Sequence, residues 1–283
     1  YRHDVAVYCY THAGEGLGQT EADEAGHEPD IYTPEAYARA AREVVDDGFT
    51  ALKFDLDVPT TAEVDTVSRR MPNGAIADKV ELVEAVRDEI GPDIDLGMDL
   101  HWNFTVETAV RLGKRLEPFE LAWLEDPVHP QKTKAHTRVR DKIDIPILAG
   151  ENLVSAARFN QLAIERGLDI AAPDITKCGG IGAMAEMATV CDLYGIPLAI
   201  HNVSSPVGTI AGAHVGAAIP NFVSLEYHAR EVPWWGDLVT RTATNRPILV
   251  DGTIPVPEGP GLGIELNKSV VSSYLTEDSE YVF

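Results

Sequence analysis

Asp99, Glu125 and Glu151 stand at equal intervals of 26 positions, and each closes a short apolar run. The runs are 94–98, 121–124 and 145–150. Asp174, His201 and Glu226 follow further apolar runs at similar spacing. A polar residue that closes one strand after another, once per repeat, is how a parallel barrel gathers ligands and bases on one face. Any one of these acids could cap the following helix or pair with a lysine. Three on consecutive strands can converge instead, and an all-oxygen donor set favours a hard cation such as Mg2+. The pattern therefore points to a metal-dependent enzyme.

The elements that must position these residues follow from the periodicity. Apolar runs over 5–10, 51–54, 94–98, 121–124, 145–149, 169–173, 197–200 and 222–225 read as strands. Helical patterns over 33–47, 77–90, 105–116, 132–141, 155–166, 182–194 and 206–218 separate them. Thr33-Pro34-Glu35 has the form of a helix start, and Gly48 of a stop. Strands alternating with helices imply parallel βαβ units, and eight strands imply closure into an α/β TIM-type barrel of the (β/α)7β kind. An open doubly wound sheet binds at a single switch point, whereas here polar endings recur on six strands. Residues 1–228 are thus expected to form the barrel. Residues 229–283, rich in Pro, Gly and Trp and without an eighth helical pattern, are expected to be an irregular extension.

Composition narrows the partners. The 283 residues carry 45 acidic and 23 basic side chains, a formal charge of −22, which disfavours nucleic acid. The acids are dispersed through the helices, which leads us to expect a halophilic protein whose self-repulsion is screened by salt. No run approaches the roughly 20 apolar residues of a membrane span. Cys9, Cys178 and Cys191 lack C-x-x-C spacing, so neither a thiolate zinc site nor a disulfide framework is supported, and the cytoplasm is the expected compartment.

Several motifs together resemble the enolase superfamily, and within it the mandelate racemase-like acid-sugar dehydratases. They are Trp123-Leu124-Glu125-Asp126-Pro127, Ala149-Gly150-Glu151-Asn152, Pro173-Asp174-Ile175-Thr176-Lys177-Cys178-Gly179-Gly180, His201-Asn202, Ser205-Pro206 and Ala218-Ile219-Pro220-Asn221-Phe222. The resemblance implies that Asp99, Glu125 and Glu151 bind Mg2+, which holds a substrate carboxylate and stabilises the enediolate left by α-proton loss. It implies a His–Asp dyad of His201 and Asp174, in which the carboxylate fixes the tautomer and raises the basicity of the ring. Asp174 replaces the lysine base of the cycloisomerase branch. His101, two residues beyond Asp99 and so expected on the same strand face, resembles the general acid that assists departure of a 3-hydroxyl. Lys53-Phe54-Asp55 departs from the K-x-K of two-base racemases, which argues for elimination. Lys53 is left to touch the substrate carboxylate or a metal ligand, or to form a structural salt bridge. Glu226 resembles a residue that hydrogen-bonds the substrate.

The expected activity is therefore dehydration of an aldonate such as galactonate, gluconate or xylonate to a 2-keto-3-deoxy acid. A 2-hydroxy-acid racemase or epimerase, or a barrel that binds without turnover, is the alternative. Family members carry an N-terminal α+β capping domain, which is expected to be absent from this chain, and a homo-oligomer is expected. Weaker candidates are Arg69 and Arg70 as an anion clamp, His12 and His27 in the first loop, and Gly179-Gly180-Ile181-Gly182 as a phosphate cradle. Trp234-Trp235 is a candidate anchor for another domain or subunit.

Overall fold

The computed structural model describes residues 2–13, 31–62, 64, 67–68, 70–243 and 246–276. Eight parallel strands follow in chain order: β1 (Asp4–Tyr10), β2 (Ala51–Asp55), β3 (Asp95–Asp99), β4 (Trp123–Glu125), β5 (Ile147–Ala149), β6 (Ile170–Ala171), β7 (Leu198–Ile200) and β8 (Phe222–Tyr227). Strand β1 also pairs with β8, so the sheet closes into the expected barrel. The intervening helices are α1 (Pro34–Asp46), α2 (Asn73–Ile90), α3 (Val106–Leu116), α4 (Thr133–Arg140), α5 (Ala156–Ile164), α6 (Ile181–Asp192) and α7 (Pro206–Ala218). Among the described residues, no helix is long and apolar enough to cross a membrane.

Strand alternation sets the two layers. Leu52, Phe54, Leu96 and Met98 are fully buried in the core between strands and helices. Burial of each contributes about 1.5–3 kcal/mol. The alternate positions point into the barrel, where Tyr8, Trp123, Leu148, Ala172 and Ala199 form a separate cluster. Gly97 is required there, because a Cβ would run into the Trp123 ring. One inward step beyond Gly97 lies Asp99, and one beyond Trp123 lies Glu125. The apolar plug thus gives way to carboxylates at the C-terminal mouth.

Local signals end the elements. Thr33 Oγ1 accepts from Ala36 N at 3.2 Å and Thr105 Oγ1 from Thr108 N at 3.2 Å, capping α1 and α3. Helix α2 starts a full turn earlier than the periodicity predicts. Buried Ala75 and Ile76 outweigh the poor helix propensity of Asn73-Gly74. Strand β6 is shorter than predicted: Pro173 has no N–H to continue the ladder. Asp174 then makes a single parallel bridge to His201.

The segment after β8 is more ordered than its composition suggests. It contains β9 (Val239–Arg241), β10 (Thr253–Pro255), β11 (Ile264–Leu266) and α8 (Lys268–Ser273). Strand β10 pairs antiparallel with the start of β1, and β9 pairs with β11. Arg230 bonds Asp47 just beyond α1, while His214 of α7 meets the Leu262 carbonyl at 3.1 Å. The extension therefore spans α7 and α1, where an eighth barrel helix would pack. Trp235 is buried there and donates to the Ser204 carbonyl, and Trp234 stacks on Tyr274 at 4.0 Å. Both tryptophans are engaged within the chain.

Candidate active site

The ends of β3 and β4 and the residue two beyond β5 bring Asp99, Glu125 and Glu151 together. One carboxylate oxygen from each lies within 4.8 Å of the others, and all three side chains are buried. Lys53, inward-facing on β2, enters the same cluster. Its Nζ donates to Asp99 Oδ2 at 3.0 Å and Glu125 Oε2 at 2.8 Å, and pairs with Glu226 Oε1 at 2.9 Å. Burial works against the Lys53 charge, but Glu125, Glu226 and Asp99 outweigh it and hold the ammonium well above its ordinary range. For Glu125, burial and then Asp99 push the carboxyl well up. For Glu226, burial is outweighed by Lys53 and His201, and the carboxyl lies below its usual value. Lys53 therefore touches two of the metal-ligand candidates, and it does so through buried salt bridges.

The residues fit a divalent cation. Among the described residues, Glu125 Oε1 is a buried acceptor with no hydrogen-bond partner. The donor set is all oxygen, and one lysine leaves the acids incompletely neutralised.

His201 stands on one side of this cluster. Its Nδ1 lies 2.7 Å from Asp174 Oδ2, and its Nε2 lies 2.9 Å from Glu151 Oε2. Asp174 is itself fixed, since its Oδ1 accepts from Thr176 N at 2.7 Å and Thr176 Oγ1 at 2.6 Å. Burial opposes the charged ring, but Glu226, Asp174 and Glu151 raise His201 to about 10. The reciprocal effect, against burial, lowers Asp174 and Glu151 each to about 2. A dication on the same carboxylates reverses that local field.

His101 faces the cluster from just beyond β3. Its Nε2 is 3.6 Å from Asp99 Oδ2 and its Nδ1 is 3.1 Å from Asp57 Oδ1. Strand alternation does not set its direction, contrary to the expectation from sequence. Strand β3 ends at Asp99, and His101 and Trp102 occupy a left-handed turn, with φ of +41° and +50°. Such backbone costs about 1–3 kcal/mol per residue. It is held by bonds from Leu100 N to Glu125 O, His101 N to Asp99 Oδ1, Trp102 N to Asp126 O and Asn103 N to Leu100 O. Burial opposes the charge on His101, but the bond to Asp57 and the charges of Asp99 and Asp55 raise it to about 10.

Three neighbours have no role predicted from the sequence. Asp126 is fully buried at φ +35°, and neither of its carboxyl oxygens has a partner among the described residues. Burial, then Asp99 and Glu151, pushes its pKa well up. Asp57 is one loop acid among many, and nothing in its spacing marks it. Asn202 could have been noticed, since it follows His201 directly. Its amide bonds Thr209 Oγ1 and the Glu226 carbonyl, tying β7 to β8.

The weaker candidates lie elsewhere. Arg70 is exposed, His12 packs edge-on to Tyr10, and Gly179 and Gly180 supply positive-φ turns into α6. Arg69 and His27 lie outside the described residues.

Known proteins resemble this chain over most of its length. Residues 36–270 match the family model described as enolase C-terminal domain-like. The chain is 40% identical over 278 residues to a D-xylonate dehydratase of Haloferax volcanii, covering 98% of this chain and 63% of that protein. It is 30% identical over 248 residues to a D-gluconate dehydratase of Thermoproteus tenax, covering 87% of this chain and 48% of that one. The structure of a mandelate racemase/muconate lactonizing enzyme-like protein from Rubrobacter xylanophilus superposes with a TM-score of 0.88 at 35% identity. That match covers 98% of this chain and 70% of the other. The chain thus spans about half to two thirds of the length of these curated relatives.

Proposed function

Because the chain belongs to the enolase C-terminal domain-like family, we propose that it is the catalytic barrel of an Mg2+-dependent aldonate dehydratase. The observation that carries this reading is the placement of two imidazoles around one carboxylate cluster. His201 Nε2 approaches Glu151 at 2.9 Å, and His101 Nε2 approaches Asp99 at 3.6 Å. Elimination of water across two carbons needs one group to take a proton and another to give one. The likeness to D-xylonate and D-gluconate dehydratases supports that class of substrate.

In this reading, Asp99, Glu125 and Glu151 hold the cation. When bound, it supplies the positive charge that anchors the substrate carboxylate and makes the neighbouring C–H acidic enough to ionise. His201, oriented by Asp174, takes the proton from C2. His101 gives a proton to the departing 3-hydroxyl, and the enol product ketonises to a 2-keto-3-deoxy acid. Lys53 and Glu226 keep the floor of the site fixed. Two-base racemisation is not favoured, because Asp55 replaces a second base and accepts from Tyr10 Oη at 2.6 Å.

The test is a screen of the full-length protein against aldonic and aldaric acids, with Mg2+ and high salt, read by semicarbazone formation. Signal on one or two aldonates, lost in His201→Asn and His101→Asn, is the expected result. Silence across the library with metal bound would remove the dehydratase reading.

A further inference from the structure

The general acid of the proposed reaction sits on irregular backbone. His101 lies beyond the end of β3, in a left-handed turn, with its side chain one third exposed at 33%, against 7% for His201. The sheet does not aim this ring and packing does not enclose it, so a specific partner must set its direction. Asp57, on the loop after β2, is the acceptor in place. Its Oδ1 lies 3.1 Å from His101 Nδ1, and its Oδ2 accepts from the amide of Asn103. The ring is thereby divided, with Nδ1 toward the loop and Nε2 toward the carboxylate mouth. Asp55 is the competing acid, but its nearest oxygen is 3.8 Å from Nδ1, beyond hydrogen-bonding distance, and its other oxygen is taken by Tyr10.

We propose that Asp57 is a positioning residue for His101, holding Nε2 toward the departing 3-hydroxyl; this rests on the dehydratase reading above. The arrangement parallels Asp174 at His201, so each of the two proton-transferring rings has its own carboxylate at Nδ1. The reaction balances as loss of one water. The C2–H bond breaks with the proton passing to His201, and the C3–O bond breaks as that oxygen takes a proton from His101. Ketonisation of the enol then completes the change without an oxidant or reductant.

The experiment compares two leaving groups on the full-length protein with Mg2+. Xylonate must lose hydroxide, which needs a proton; 3-deoxy-3-fluoroxylonate loses fluoride, which does not. Asp57→Asn is expected to lower kcat on xylonate by about 10–100-fold, as removal of a ligand-orienting partner commonly does. KM and the rate of fluoride release should stay within about 3-fold of wild type, since only leaving-group protonation is weakened. His101→Asn should show the same split more strongly, whereas His201→Asn should lose both reactions. Equal loss of water and fluoride elimination in Asp57→Asn would make Asp57 merely structural and overturn the proposal. So would unchanged xylonate turnover. A wild-type protein silent on both compounds and on every other aldonate would instead overturn the dehydratase reading and this inference with it.

Discussion

Lys53 Nζ lies 2.8 Å from Glu125 Oε2, and both side chains are fully buried at the floor of the barrel mouth. The lysine also meets Asp99 and Glu226, so one cation holds three buried acids together. Removing one partner of such a cluster leaves uncompensated buried charge, which costs about 3–5 kcal/mol. Lys53→Met should therefore lower the melting temperature of the metal-free protein by on the order of 10 °C. Mg2+ should recover much of that loss, because it brings charge of the same sign to the same oxygens. A metal-free Lys53→Met protein as stable as wild type would show that the acids are neutralised in another way.

Chelation should also destabilise the unmutated protein. A ligand at 100 times its Kd stabilises the state it binds by about 2.7 kcal/mol. Melting with EDTA and then with excess Mg2+ should show that difference, and Glu125→Gln should shrink it. A melting curve indifferent to both reagents would count against Asp99, Glu125 and Glu151 as ligands.

The His201–Asp174 contact of 2.7 Å predicts a graded loss of activity. His201→Asn should reduce kcat by about 10²–10⁴-fold, the range for loss of a general base. Asp174→Asn should fall short of that, because the ring remains but its orientation is less well defined. Exchange of the C2 proton with solvent deuterium should fall in parallel. Exchange that survives in His201→Asn would assign proton abstraction to another group.

His136 gives a pH dependence away from the acidic mouth. It is fully buried on α4, and burial lowers its pKa from 6.5 to about 4 against weaker opposing carbonyls of Val128 and His129. Between those values the unfolded chain binds the proton and the folded one does not, so stability falls as pH falls. The full stabilisation is present above pH 6.5, and about 3 kcal/mol is lost by pH 4. Denaturant titrations should show His136→Leu gaining on wild type by about that much between pH 7.5 and pH 4. A constant difference across that range would mean that His136 takes up its proton as readily in the folded chain as in the unfolded one.

The charge of −22 predicts a response to salt. At 0.01 M ionic strength the screening length is about 30 Å, and at 1 M about 3 Å, so repulsion among dispersed surface acids should fade across that range. The melting temperature should rise with KCl well beyond the concentration that saturates any single ion pair. A flat profile above about 0.15 M would remove the halophilic expectation.

Much of the architecture was legible in the chain. Period-two and period-3.6 patterns report which face of an element is buried, so strands, helices and closure followed from local sequence. Asp99, Glu125, Glu151, Asp174, His201 and Glu226 could be picked out because strand ends share one mouth in a parallel barrel. Boundaries slipped where packing overrode propensity, as at the start of α2, or where Pro173 cut β6 short. The extension after β8 read as irregular because its strands are three residues each and β10 finds its partner, β1, at the other end of the chain.

What the chain determined by itself was therefore the order of its elements and which residue types meet at one end. Tertiary structure alone decided how those side chains are partnered. Lys53 meets Asp99, Glu125 and Glu226 only once the barrel closes around it. His101 reaches the mouth through a strained turn rather than by strand alternation, and its partner Asp57 comes from a different loop. Asp126 is a buried acid at a backbone turn with φ of +35°. Periodicity encodes burial through regular geometry, but irregular turns and contacts across loops carry no repeating signal. Their directions are fixed only when distant segments are packed together.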